Sequence, residues 1–420
     1  MAVDLSVEWM GIKFPNPFLI ASVPPTWSGG FGEVAKYGWG GGIHWQAEVQ
    51  SREGASYHGY IPREYSFVGK PPAWWSFQNS CGPKVPVDPD QICPPDKLEA
   101  AIRKAKESGM IVGANLQESE NPKAWAKVTR AAERGGADFL EVNWSCPYYP
   151  KTGYEIGADR PIRMRIIKAV RENSDLPMMV KVNASLGKEE LALIVGDAIE
   201  AGANAISCSN TLRGLVGVDI ETGIPLSCEL NVDGTLRGMI GGISGPGIKP
   251  MVLRAIAEIR KITDLHISAV GGITQWESTV EYMLLGASTV QIGTAVMLYG
   301  YRLIKQLTRG LEEYMERKGY RRITDFVGMT SDKYFAPDYI GPVEKQPRKT
   351  VVDEGKCNGC GLCLLACEAS SSGSGALKIE DRVARIDHSL CKTCNTCRIV
   401  CPEGAISVVW EAESAPAPVV

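Results

Sequence analysis

No run of eighteen apolar residues occurs anywhere in the 420-residue chain, and Met1 to Gly11 hold no basic stretch followed by an apolar one. Neither a membrane-spanning helix nor a secretion signal is expected. Charge of one sign is missing as well. Forty-five Lys and Arg stand against 48 Asp and Glu, a net charge of -3 with the basic residues scattered, so the electrostatic footprint of a nucleic-acid binder is absent. Nor does any strand lead into a glycine-rich turn with an acid further on, the fingerprint of a dinucleotide site. These absences point to a cytoplasmic protein whose partners are small molecules and other proteins. Thirteen cysteines fit a reducing compartment, because eight of them crowd between Cys357 and Cys401 at a spacing that suits metal better than disulfides. The glycosylation patterns at Asn143 and Asn183 carry no weight without an export signal.

The length favours one large domain and one small one. From Pro17 to about Gly319, short β-forming runs alternate with helical patterns, the signature of parallel strands joined by crossover helices. Eight strands are expected, at 17–23, 41–47, 111–117, 138–145, 178–184, 205–210, 266–271 and 288–293. Several are apolar throughout, as strands covered on both faces should be. Helical segments such as Lys97 to Gly109, Lys123 to Gly135, Glu189 to Gly202 and Val252 to Thr263 follow them, most closing on a glycine suited to a left-handed cap. Eight repeats in about 300 residues predict an α/β fold, a closed (β/α)8 TIM barrel, with an open doubly wound sheet as the alternative. The intervals 48–96 and 212–248 are too long for simple connections, and in a barrel both would lie on the C-terminal face where active sites sit. The expected layout is a barrel domain over 1–330, a proline-rich linker over 331–350, a small α+β domain over 351–410 and a disordered tail over 411–420.

Cys357, Cys360, Cys363 and Cys367 follow the pattern C-x2-C-x2-C-x3-C, and Cys391, Cys394, Cys397 and Cys401 repeat it, with Pro402 closing the second run. Two such runs are the mark of a ferredoxin-like domain with two [4Fe-4S] clusters, in which the fourth cysteine of each run ligates the other cluster. Cys357, Cys360, Cys363 and Cys401 would hold one cluster, and Cys391, Cys394, Cys397 and Cys367 the other. A pair of zinc knuckles is the competing reading, but it wants two C-x2-C pairs and commonly histidine, and only His388 lies nearby. Glu368 stands where proline would close the first run. In the barrel, Gly271-Gly272-Ile273 ends the seventh expected strand and Gln291-Ile292-Gly293-Thr294-Ala295 the eighth. Loops at those places bind phosphate in many barrels, although such glycines also serve tight helix-strand packing.

In register with these loops stand Gly11-Ile-Lys-Phe-Pro-Asn-Pro-Phe-Leu-Ile-Ala-Ser22, Asn143-Trp144-Ser145-Cys146-Pro147, Val180-Lys181-Val182, Ser209-Asn210-Thr211 and Gly241-Gly242-Ile243-Ser244-Gly245. On these residues nearly the whole chain resembles the family of dihydroorotate and dihydropyrimidine dehydrogenases, most of all the FMN and iron-sulfur part of the NAD-dependent dihydropyrimidine enzymes. The resemblance implies FMN in the barrel, held by Ala21, Ser22, Trp45, Asn115, Lys181, Ser209, Gly242, Ser244, Gly245, Gly271, Gly272, Gly293 and Thr294. It implies that Lys181 lies at the flavin edge where a cation stabilises the reduced ring. It further implies that Cys146 moves a proton at one substrate carbon while the flavin exchanges hydride at the next. Asn79, Asn143, Ser145, Asn210 and Thr211 would bind a small cyclic, carbonyl-bearing substrate, since amides both donate and accept. The remaining barrel cysteines, Cys93, Cys208 and Cys228, are taken as small buried hydrophobes.

Departures from the family pattern bear on the substrate. Cys81 stands where pyrimidine enzymes have a glutamate, two residues after the substrate asparagine. Trp45 replaces the lysine of a Thr-Lys-Thr motif near the flavin, so contact there replaces charge. Trp74, Trp75 and Trp144 would make the pocket larger or more apolar, or belong to the core. An oxidoreductase acting on a C-C bond beside a carbonyl is the expected activity. A non-catalytic electron-transfer subunit is the alternative. Electrons would pass between the clusters and a flavoprotein subunit or a ferredoxin, in a homo- or hetero-oligomer.

Overall fold

Eight short parallel strands close into a barrel in the computed structural model, which describes residues 3–46, 55–60, 76–81, 93–145, 157–230, 233–238, 240–334, 348–370 and 375–410. They are β1 (Phe18–Ile20), β2 (Gly41–His44), β3 (Val112–Leu116), β4 (Phe139–Val142), β5 (Met178–Val182), β6 (Ala205–Cys208), β7 (His266–Val270) and β8 (Thr289–Ile292). Each lies inside its expected span, and the ring closes by β8 pairing with β1 and the others with their sequence neighbours. The open sheet is thereby excluded. Every residue of β1 to β6 and of β8 is buried, because helices cover the outside and side chains fill the inside.

Helices form where apolar residues recur at helical spacing behind a start signal. The helix Pro122–Arg134 opens with proline in its first turn, and the Asn121 side chain accepts from the Lys123 N–H at 3.0 Å. Arg160–Arg171 is capped in the same manner by Asp159. Gly109 and Gly202 adopt the left-handed conformation expected after their helices, with φ of 74° and 84°. At Gly135 the expectation needs correction. Gly135 is right-handed, with φ of -68°, and the left-handed residue is Gly136. Gly135 is needed for closeness instead, since a Cβ there would stand 2.8 Å from Ile102 Cβ on the neighbouring helix.

The N-terminal end of the barrel is plugged by a hairpin, Val7–Trp9 paired with Ile12–Phe14. Its two turn residues, Met10 and Gly11, have φ of 53° and 76°, which matches the twist of a tight hairpin. Trp9 and Phe14 pack edge-on against each other and against Phe139 of β4, with centroids 5.5 to 6.3 Å apart. Leu19, Ile43, Met179 and Ala205 complete this apolar floor. The opposite mouth is left to polar side chains.

The long intervals are not plain loops. Ala55–Tyr60, Ser76–Cys81, Leu212–Gly214 and Gly241–Ser244 form an antiparallel sheet that ties the two insertions together, with Asn79 opposite Gly242. Residues 47–54, 61–75 and 82–92 lie outside the described residues, Trp74 and Trp75 among them.

A buried ion pair braces the helix that follows β4. Arg163 donates to Asp197 through Nε at 3.0 Å and again through Nη2, and to the Gly157 carbonyl at 2.5 Å. Arg163 is 3% exposed and Asp197 5%. Arg160, on the surface, also binds Asp197. The two truncations should therefore be unequal. Asp197→Ala leaves the Arg163 charge buried and should cost about 3–5 kcal/mol in urea unfolding, whereas Arg163→Ala leaves Asp197 still paired with Arg160 and should cost clearly less.

The second unit is built from Arg348–Val352 paired with Ile406–Trp410, Leu377–Glu380 paired with Val383–Ile386, and helices Leu362–Ser370 and Thr396–Val400. Its apolar core is small, with Cys363, Leu377, Ala384, Cys397 and Ile406 packed together. The expected linker shrinks at both ends. Residues 331–334 stay with the barrel, where the Tyr334 hydroxyl donates to the Ala257 carbonyl, and Arg348–Val352 already forms a strand of the second unit. Residues 335–347 and 411–420 lie outside the described residues. No described helix is long and apolar enough to cross a membrane.

Candidate active site and cluster sites

A cleft with about 1060 Å³ of space, open to solvent, lies at the C-terminal mouth of the barrel, the face where parallel barrels gather their ligand sites. Its walls hold most of the residues singled out in the sequence: Ala21, Ser22, Trp45, Asn115, Asn143, Lys181, Ser209, Asn210, Thr211, Ser244, Gly245, Gly271, Gly272, Gly293 and Thr294. Strand ends deliver them, because in a parallel barrel all eight C-terminal ends converge on one face.

Three asparagines from three strands are chained together. Asn210 Nδ2 donates to Asn143 Oδ1 at 2.9 Å and to Ser145 Oγ at 3.1 Å, while Asn143 Nδ2 reaches Asn115 Oδ1 at 3.4 Å. Beneath them Asn115 Nδ2 donates to the buried carboxylate of Glu141 at 2.6 Å, and Lys181 Nζ binds the same oxygen at 3.2 Å. Ser209 is turned inward, accepting from the Ala184 N–H, so its hydroxyl serves the loop that it shapes.

At the other end of the cleft lie the glycines. Gly245 has φ of 90°, and Gly272 has φ of 70°, with a Cβ there only 2.7 Å from Lys249 Cβ. Both the left-handed backbone and the close approach of the following helix require glycine, so the packing role is present beside any binding role. Thr294 Oγ1 donates to Ser244 Oγ at 2.8 Å, linking the last strand to the insertion.

Some expected residues fall elsewhere. Gly242 is buried in the antiparallel sheet opposite Asn79 and Arg213 and does not line the cleft. Ser145 touches the site through Asn210 but lines a separate small cavity with Trp144. Trp144 itself is 1% exposed and faces that cavity, which makes it packing for the Ser145 turn rather than a pocket wall. Cys146 and Pro147 lie outside the described residues, and Asn79 and Cys81 are described by their backbone. Burial pushes the Cys208 thiol up to about 12, which leaves it inert at neutral pH, and Cys93 is likewise buried.

Four polar residues escaped the sequence reading: Glu141, Gln46, Gln117 and Gln291. Glu141 could have been found, because it interrupts the apolar run Phe-Leu-Glu-Val just as Lys181 interrupts its own strand. Gln46 and Gln117 are 1% and 6% exposed and line the cleft. Gln46 Nε2 donates to the Gln117 carbonyl at 3.1 Å, while Gln46 Oε1 and Gln117 Nε2 have no partner among the described residues. Buried amide atoms without partners cost about 1–3 kcal/mol each, so this wall is built for a ligand carrying both a donor and an acceptor. A flavin nucleotide fits: its ring edge has such groups, Lys181 supplies a cation, and the glycine corner admits a phosphate.

None of the eleven cysteines whose side chains are described forms a disulfide. In the second unit Cys357, Cys360, Cys363 and Cys401 line one small cavity, and Cys367, Cys391, Cys394 and Cys397 line another. The fourth cysteine of each run has crossed to the other set. Backbone N–H groups of Ala384, Thr393 and Ala405 donate to Cys357, Cys391 and Cys401 sulfurs at 3.3 to 3.4 Å. Such bonds are among the determinants of an iron-sulfur potential. Among the described residues no three ligands converge on a point fit for a single metal ion.

The sequence profile of dihydroorotate dehydrogenase matches residues 95–315, and that of a 4Fe-4S dicluster domain matches 350–408. The NAD-dependent dihydropyrimidine dehydrogenase subunit PreA of Escherichia coli K12 is 29% identical over 96% of this chain and 95% of its own length. The catalytic subunit of dihydroorotate dehydrogenase B (NAD(+)) from Pyrococcus furiosus is 30% identical over 78% of this chain and 99% of its own. That of Pyrococcus horikoshii is 36% identical over 46% of this chain and 60% of its own. A cleft at the mouth of a closed barrel, followed in sequence by eight cysteines sorted into two fours, thus sits in a chain that belongs to the dihydroorotate dehydrogenase family and carries a 4Fe-4S dicluster domain.

Proposed function

We propose that this chain is an FMN- and iron-sulfur-dependent oxidoreductase that reduces or oxidises a C-C bond beside a carbonyl in a small cyclic substrate. The observation that carries the reading is the joined Asn115, Asn143 and Asn210 amides standing over Lys181 at one end of a cleft whose other end is built of glycine. FMN held there would supply hydride exchange at one substrate carbon. The protein's own part is to hold the carbonyl and N–H groups of the substrate through Asn79, Asn143, Asn210, Ser145 and Thr211, and to move one proton at the adjacent carbon through Cys146. In the reducing direction the thiol gives up its proton and is reprotonated from solvent; in the oxidising direction the thiolate accepts it.

Residues 1–330 would form the catalytic domain. The two sets of four cysteines would hold two [4Fe-4S] clusters, which pass single electrons one at a time. No dinucleotide fingerprint is present in the sequence, so NAD(P)H would react at a flavoprotein subunit or through a ferredoxin. The word subunit in the names of the relatives supports a partner of this kind.

Anaerobic titration of the purified yellow-brown protein with pyrimidines and other cyclic enones, amides or carboxylates should change the flavin absorbance with at least one of them. A protein whose flavin responds to none would favour the second reading, a non-catalytic electron-transfer subunit, which Cys81 and Trp45 support. If Cys81 is what changed specificity, Cys81→Glu should raise turnover of uracil by about tenfold or more, the worth of one hydrogen bond to a charged group.

A further inference from the structure

Barrel cores are normally filled by branched apolar residues, but the layer just above the aromatic floor of this one is polar. Glu141 is fully buried and meets four donors from four other strands. Asn115 and Lys181 bind Oε2, and Ser207 Oγ at 2.9 Å and Gln291 Nε2 at 3.4 Å bind Oε1. Gln291 also reaches Ser207 and Ser268, and Thr289 donates to Ser268. A carboxylate can only accept, and here each oxygen is matched by two donors. This arrangement fixes the carboxylate in place and presses a negative charge against the one lysine at the cleft floor. Lys181 is itself 5% exposed and has Glu141 as its single ion-pair partner among the described residues.

We propose that Glu141 is a positioning residue that sets the redox potential of the bound flavin by fixing how much of the Lys181 charge reaches it. This rests on the FMN reading above. A lone buried ammonium beside the ring would favour the more negative, reduced flavin strongly. With the carboxylate paired to it the ring faces a nearly neutral couple, and the potential stays lower. Asn115, which bonds the same Glu141 oxygen and lines the cleft, is locked in the same arrangement, so charge and amide orientation are set together.

The signature is a pair of opposite shifts that cancel. In Glu141→Gln the bound reduced flavin should be favoured over the oxidised form by about tenfold more than in the parent, which is a rise of about 30 mV for a two-electron couple. In Lys181→Met it should be disfavoured by a similar factor. In the double variant E141Q/K181M both buried charges are gone, a change that cores tolerate well, and the potential should return to within about threefold of the parent. The measurement is an anaerobic dye-coupled titration of the full chain at the flavin band, with the iron-sulfur contribution subtracted. An E141Q protein that binds FMN with the parent's potential overturns the proposal and leaves the FMN reading standing. If E141Q does not fold, the comparison of the double variant with K181M decides, because equal potentials there mean that Glu141 is structural only. A parent protein that takes up no FMN removes the reading beneath the proposal, a result distinct from either.

Discussion

Cys146→Ala is expected to slow the reaction between substrate and bound flavin by about 10²–10⁴-fold, the usual worth of a positioned acid or base, while FMN stays bound. The cleft residues that fit the cofactor, Lys181, Asn115 and the glycine corner, belong to other strands and do not depend on this side chain. The root of its loop is well anchored, since Asn143 and Ser145 are both bonded by Asn210 and Trp144 is buried between them. Removing one thiol therefore removes a proton and little else. The pH profile distinguishes this from a packing defect. A thiol works as an acid only below its pKa, so reduction of substrate should fall as pH rises through the titration of Cys146. Oxidation needs the thiolate and should rise through the same point. Both limbs should vanish in Cys146→Ala and in Cys146→Ser. Replacing Cys208, whose thiol is buried and pushed up to about 12, should leave the profile alone. A Cys146→Ala enzyme at the parent rate would end the assignment.

The barrel was legible because its strands are buried on both faces, which writes them as apolar runs such as Phe-Leu-Ile and Met-Met-Val-Lys-Val, separated by amphipathic helices. The insertions were legible as interruptions but not as strands. Ser76–Cys81 and Leu212–Gly214 owe their conformation to pairing with Gly241–Ser244 across long stretches of sequence, which local propensity does not record. Within the site, Lys181 is carried by the family resemblance, while Glu141 breaks an apolar strand in the same way but stands in none of the family motifs. Gly242 stands in a motif with Ser244 and Gly245, but it is paired in the sheet opposite Asn79 while Ser244 and Gly245 reach the cleft. Gln46 and Gln117 could not have been found from sequence, since an unpartnered amide is visible only when all of its neighbours are placed.

The crossed sorting of the cysteines yields the sharpest result expected of the second unit. Cys360 and Cys394 are exposed, whereas Cys363 and Cys397 are buried in a small apolar core with Leu377, Ala384 and Ile406. Replacing an exposed one by Ser thus tests ligation without opening a cavity, and should lower the iron from about eight to about four atoms per chain. Flavin reduction by an external donor should then slow, while the reaction of the flavin with substrate continues. Cys397→Ser should in addition destabilise the unit by several kcal/mol, because a core this small depends on what its cysteines bind. The pairing of losses carries the geometry. Cys367 rings the same cavity as Cys391, Cys394 and Cys397, so Cys367→Ser and Cys394→Ser should erase the same cluster signal in the electron paramagnetic resonance of the reduced protein. Cys401→Ser should erase the other, together with Cys360→Ser. If ligation instead followed the order of the sequence, Cys367→Ser would share its loss with Cys360→Ser, and the two-cavity arrangement would have no bearing on where the iron is held.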